Sequence, residues 1–184
     1  MAPRKQREIF TATLDLLADR GYERLTIEGV AERSGVNKTT IYRWWPSKAA
    51  LLGAALVDAD LLAYDAPDTG SLRGDLTALV ENVRRLLTRP PAKDVAVAAL
   101  GAAVHHPELD ARRFFTDRLT REGQIFERAV RRGELAPDAD PMLIVDLLGG
   151  AVWMRAVFRG FDLDDDFAER AVSAVLDGVF PLAR

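Results

Sequence analysis

Cysteine is absent from the 184 residues, and the only two histidines, His105 and His106, are adjacent. Without thiols there is no disulfide, no thiolate metal site and no thiol redox switch. A metal sensor would have to rely on carboxylates, and neither a metal nor a cofactor is expected. No uninterrupted run of about eighteen apolar residues occurs, so no membrane span is expected. The opening residues MAPRKQREIF are basic but lack a following apolar stretch, so they do not read as a secretion signal, and the cytoplasm is the expected location. There is no alternating β-branched run, no Asn-Gly hairpin turn, no internal repeat and no low-complexity tract. A nucleophile–base constellation and a glycine-rich phosphate loop are also missing, which argues against an enzyme.

What is present is a globular composition, 48% apolar and 29% charged, with enough apolar surface for a real core. The net charge of −3 hides a polarity along the chain. Residues 1–52 hold nine basic and six acidic side chains, whereas residues 53–184 hold 16 basic and 22 acidic ones. A polyanion would attract the first segment and repel the second, which favours one docking orientation.

The spacing of apolar residues predicts helices throughout. Ile9, Ala12, Leu16 and Leu17 share one helical face, and Gly21 stands where a helix C-cap is expected. Thr26 is placed to cap a short second helix over 27–33, with Gly35 after it. Asn37 is placed to cap a third helix over 38–44, Pro46 blocks its continuation, and Ser47 is placed to cap a fourth helix running to about 64. Asp65-Ala-Pro-Asp-Thr-Gly reads as a linker. Ser71 then opens an amphipathic helix with Leu72, Leu76, Leu79, Val83, Leu86 and Leu87 in one stripe. An Ala- and Val-rich helix follows from Asp94 to His105. The next, opened by Pro107, carries Phe115, Leu119, Phe126 and Val130 and ends at Gly133. A helix over about 141–159 is apolar nearly all round, with Asp146 and Arg155 as exceptions. The last runs over about 165–180 and carries small residues at Ala171, Ala174 and Gly178.

The most specific signal is Thr26 to Leu52, TIEGVAERSGVNKTTIYRWWPSKAALL. Two short helices around a glycine-containing turn form a helix-turn-helix, whose second helix enters a DNA major groove while the first lies across the backbone. Lys38, Thr39, Thr40, Tyr42 and Arg43 crowd that second helix with donors. Lys38 and Arg43 suit guanine edges, and the threonines suit thymine methyls. Tyr42 and Lys48 suit phosphates, and Thr26, Asn37 and Trp44 complete the expected DNA-contacting set. Arg4, Lys5 and Arg7 read either as minor-groove contacts or as a frayed terminus.

This pattern resembles the tetracycline-repressor (TetR) family. The match runs through Ile9, Ala12, Leu17, Gly21, Thr26, Val30, Ala31, Gly35, Val36, Thr40, Ile41, Tyr42, Ser47, Lys48 and Leu51. Many members carry a histidine and a phenylalanine where this chain has Trp44 and Trp45. A looser similarity, to an actinobacterial type of TetR ligand domain, runs from His106-Pro107-Glu108-Leu109 through Arg132-Gly133-Glu134-Leu135 to Gly149-Gly150 and Trp153-Met154-Arg155. The resemblance implies an all-α fold of about nine helices. Residues 1–46 would form a three-helix DNA-binding domain, and residues 47–184 a bundle of about six helices for ligand binding and dimerisation. It implies a homodimeric repressor on a palindromic operator in double-stranded DNA, with half-sites about 34–36 Å apart. A small, largely apolar inducer would release it.

The last two helices would pair with their copies through Leu147, Leu148, Ala151, Ala171, Ala174, Val175 and Gly178. His105, Phe114, Phe126, Trp153 and Met154 are candidates for the ligand pocket, against plain core packing. Arg155 needs a partner, either a carboxylate across the dimer or a ligand anion. His105-His106-x-Glu108-x-Asp110 invites a metal or catalytic reading, but Pro107 breaks the helix there, so a helix-end loop is the simpler reading. The alternative function keeps the DNA-binding head and makes the body a dimerising or protein-binding module without an inducer.

Overall fold

The computed structural model describes residues 5–58, 66–109 and 122–178. Among these residues there are helices and no strand. In chain order the helices are α1 (Gln6–Arg20), α2 (Ile27–Ser34), α3 (Lys38–Trp44), α4 (Lys48–Val57), α5 (Leu72–Thr88), α6 (Ala92–His105), α7 (residues 122–131), α8 (Pro141–Trp153) and α9 (Phe167–Leu176). A 3-10 turn, Pro107–Leu109, follows α6, and a π turn, Met154–Phe158, continues α8.

Side chains set the helix starts. Thr26 Oγ1 accepts from Gly29 N at 3.1 Å, Asn37 Oδ1 from Thr39 N at 2.8 Å, and Ser47 Oγ from Ala50 N at 3.1 Å. Ser71 Oγ accepts from Gly74 N at 3.1 Å, and Asp140 caps α8 with Pro141 in its first turn. Each cap satisfies backbone donors that the helix leaves open, worth about 1 kcal/mol. Gly35 adopts φ 65°, the left-handed conformation that turns the chain between α2 and α3.

Two compact units result: Met1–Ala63 with Pro90–Asp117, and Tyr64–Arg89 with Arg118–Arg184. In the first, α1 packs against α2, α4 and α6, and α2 packs against α3. Ile9, Leu16, Leu17, Leu25, Val30, Ile41, Leu51 and Leu52 form its buried core. The fourth helix is described only to Val57, so its expected continuation to about 64 lies largely outside the described residues.

In the second unit, α5 packs against α8 and α9. Leu72, Leu76, Leu79, Val80 and Leu87 of α5 are buried, together with Ile125, Phe126, Leu148, Val152, Phe167 and Val172. Asp75 sits wholly buried in the same stripe. Its Oδ1 accepts from the backbone N–H and hydroxyl of Thr69, and its Oδ2 lies 3.6 Å from both Arg128 and Arg132 of the α7 end. This polar knot ties the 66–71 linker to α5 and α7. A carboxylate at helical spacing within an apolar stripe was the signal for it.

The segment Pro141–Phe158 is the most apolar of the described helices by length and composition, and no finding makes it a membrane span. By those two measures alone it is long and apolar enough to cross a membrane, with Asp146 and Arg155 dividing the apolar run. One face, Leu148, Val152 and Ala156, is buried in its own unit. The opposite face carries Leu143, Leu147, Met154 and Phe158, which are 55%, 52%, 46% and 68% exposed.

Candidate nucleic-acid interface

Helix α3 is held from one side only. Ile41 is its single buried residue, seated on the core that α1 and α2 provide. Asn37 caps its start, and Trp45 closes its end by packing on Phe10, ring centroids 5.2 Å apart. This leaves Lys38, Thr39, Tyr42, Arg43 and Trp44 exposed, with Thr40 half-buried. The Arg43 guanidinium lies 5.9 Å from the Trp44 ring centroid, within cation–π range. Lys38 Nζ stands 3.8 Å from Glu28 on α2, an exposed and therefore weak pair. Exposed Thr26 begins α2 beside this surface. The two tryptophans divide their roles, Trp45 as packing and Trp44 as exposed surface.

Lys48, expected on a phosphate, is bonded within the protein. Its ammonium donates to the Tyr22 carbonyl at 3.0 Å and lies 4.2 Å from the Tyr22 ring centroid. A cation over an aromatic face with a carbonyl beside it is well satisfied, so Lys48 fastens α4 to the α1–α2 turn. Burial, followed by the Glu108 and Glu23 carboxylates, raises the Tyr22 phenol above its ordinary range.

The body residues are placed less uniformly. His105 is exposed at the end of α6 in the first unit. Phe126 is buried in the second unit, where Trp153 is half-buried and Met154 is 46% exposed. Phe114 lies outside the described residues, as does Asp110. Leu147 is 52% exposed, but Leu148 is only 1% exposed and belongs to the core of its own unit rather than to an open face. Ala174 and Gly178 are exposed, while Ala151, Ala171 and Val175 are half-buried. Arg155 finds the Phe167 ring, 5.6 Å from its centroid, a partner that neither expected reading included. His106 is occupied between Glu23 and Glu108, and no group of three or more His, Cys, Asp or Glu side chains among the described residues is arranged to hold a metal ion.

Comparison with known proteins settles what kind of head this is. The family model for bacterial regulatory proteins of the tetR family matches residues 9–55, and the tetracyclin repressor-like C-terminal domain matches residues 66–175. The chain belongs to the TetR family. The DNA-binding transcriptional repressor TetR of Mycobacteroides abscessus is 37% identical over 173 residues, covering 91% of this chain and 90% of that protein. The HTH-type transcriptional regulator YdeS of Bacillus subtilis is 30% identical over 176 residues, 94% of this chain and 88% of that one. The crystal structure of TetR family transcription regulator SCO0332 superposes with a TM-score of 0.75 at 36% identity, covering 97% of this chain and all of that one. This TetR-family chain is therefore a helix-turn-helix transcriptional regulator rather than an enzyme.

Proposed function

We infer that the chain acts as a homodimeric repressor that holds a palindromic operator and leaves it when a small, largely apolar ligand binds. The observation that carries the DNA contact is the exposed face of α3, a set of donors and one indole fastened to the core through Ile41 alone. Lys38 and Arg43 read base edges. Thr26, Asn37, Thr39, Thr40, Tyr42 and Trp44 contact phosphates and sugars, joined by Lys48 once its ammonium leaves the Tyr22 carbonyl, fixing the register. Residues 1–46 serve as the DNA-binding part and residues 47–184 as the regulatory and dimerising part.

The open face of Pro141–Phe158 supports the dimer. Four large apolar side chains in one stripe need cover, and a second copy provides the same stripe in return. Leu143, Leu147, Ala151, Met154 and Phe158, with Ala171, Ala174, Val175 and Gly178, form the proposed interface. The charged Asp146 and Arg155 suit a protein partner better than a bilayer. The protein would work in the cytoplasm, where its operator is. The inducer would couple to DNA with about 1–3 kcal/mol, reciprocally.

The test is selection of duplexes from a random-sequence pool by the purified protein at stated salt, with sedimentation of the same sample. A palindrome bound by a dimer supports the reading. A monomer binding a single half-site would overturn the dimer, and failure of every apolar compound screened to release the duplex would favour the inducer-free alternative.

A further inference from the structure

In the first unit one imidazole stands between two carboxylates. His106, the C-cap residue after α6, has Nε2 2.7 Å from Glu23 Oε1 and Nδ1 3.1 Å from Glu108 Oε1. An ionised carboxylate only accepts, and a neutral imidazole carries a single N–H. A neutral ring therefore makes one of these bonds, and only the imidazolium makes both. The ring rests on Tyr22, centroids 4.4 Å apart, and is three-quarters withdrawn from solvent. The charged and titratable groups around it are Tyr22 and Glu23 from the α1–α2 turn, Lys48 from the start of α4, and Glu108 from the 3-10 turn. The neighbouring His105 is exposed.

We propose that His106 is a proton-operated clasp between the α1–α2 turn of the DNA-reading head and the turn after α6, and that its closure strengthens operator binding. Two effects act in the same direction. The second bond fixes the turn that leads into α2, three residues before the Thr26 cap. The added charge pairs Glu23, the acidic side chain of that turn, and so lessens its repulsion of phosphate. Histidine is the side chain whose ordinary charge change falls within about pH 5–8.

The inference rests on DNA binding by this head, but one arm of its test needs no DNA. A double-mutant cycle of Glu23→Gln and His106→Gln, read by urea unfolding, should show a coupling of about two- to fivefold in the folding constant near pH 5.5, falling away near pH 8. Equal coupling at the two pH values would overturn the clasp. The second arm measures affinity for a duplex selected by the protein from a random pool. Wild type should bind about two- to fivefold more tightly at the lower pH. Glu23→Gln and His106→Gln should lose that gain, and His105→Gln should keep it. An acid gain that survives His106→Gln, or that His105→Gln removes, would refute the proposal. Should the variants fold poorly, nitrogen-15 shifts of the wild-type ring decide, since a singly protonated His106 at the lower pH is incompatible with a closed clasp.

Discussion

Helices α3 and α8 both turn a broad face to water, and they do so in opposite chemistry. The face of α3 offers hydroxyls, an ammonium, a guanidinium and an indole, while that of α8 and its π turn offers Leu143, Leu147, Met154 and Phe158. Open donors are stable in water and await an anionic partner. Open leucines are not, so their partner must be present for most of the protein's life. On the proposed reading, the contrast separates a reversible contact, with DNA, from a standing one, with a second copy.

The comparison is broken most severely by placing charge on the apolar stripe. Leu147→Glu forfeits burial worth about 1.5–3 kcal/mol, twice over in a two-fold interface. Sedimentation should show the dimer dissociation constant rising at least about a hundredfold. The substitution of its neighbour should act differently. Leu148→Ala leaves a cavity inside the unit and should lower unfolding stability by about 2–5 kcal/mol, with the dimer otherwise retained when folded. Equal behaviour of the two variants in both assays would erase the distinction between standing contact and core.

On the polar face the effects are smaller and of another kind. Arg43→Ala or Lys38→Ala should cost about 1–3 kcal/mol of affinity for the selected duplex and relax base preference at one position, with thermal unfolding unchanged. Uniform weakening across all sequences would reassign that side chain to phosphate. Thr26→Ala should remove about 1 kcal/mol of stability through the lost cap of α2, visible in urea unfolding.

The smallest effect is acid dependence in the body. Arg84 pairs with Glu81 and holds its carboxyl below the ordinary range. A depressed folded-state pKa gives stability that is present above the ordinary carboxylate range and lost as pH falls through the depressed value. Partial exposure limits this to under about 1 kcal/mol. Glu81→Gln should lower the melting temperature near pH 7 slightly, and the gap to wild type should close towards about pH 3.

Much of this was legible in the residues because helix starts and turns are local chemistry. Thr26, Asn37, Ser47, Ser71 and Asp140 each act within three residues of themselves, so the order and starts of α2, α3, α4, α5 and α8 followed from spacing. Which face of α8 is inside was not legible. A helix apolar all round has no polar side to mark solvent, so Leu148 and Leu147 looked alike. Lys48 and His106 were hidden for another reason. The Tyr22 carbonyl that holds Lys48 and the Glu23 carboxylate on His106 are 26 and 83 residues away, whereas the Glu108 partner of His106 stands within the local motif. The π turn after Trp153 likewise shifts the phase of the face that carries Met154 and Phe158 in a way no fixed period anticipates.

The single anchor of α3 bears on how such a regulator acquires new targets. Because Ile41 alone ties the helix to the core, Lys38, Thr39, Tyr42, Arg43 and Trp44 are free to vary with little loss of folding. On the proposed reading, change at these positions is nearly neutral for the fold and alters the operator preferred, so a duplicated copy can drift to a new operator without passing through an unfolded ancestor. The same freedom makes these five positions the natural library for redirecting the head, with Ile41 and Asn37 left untouched.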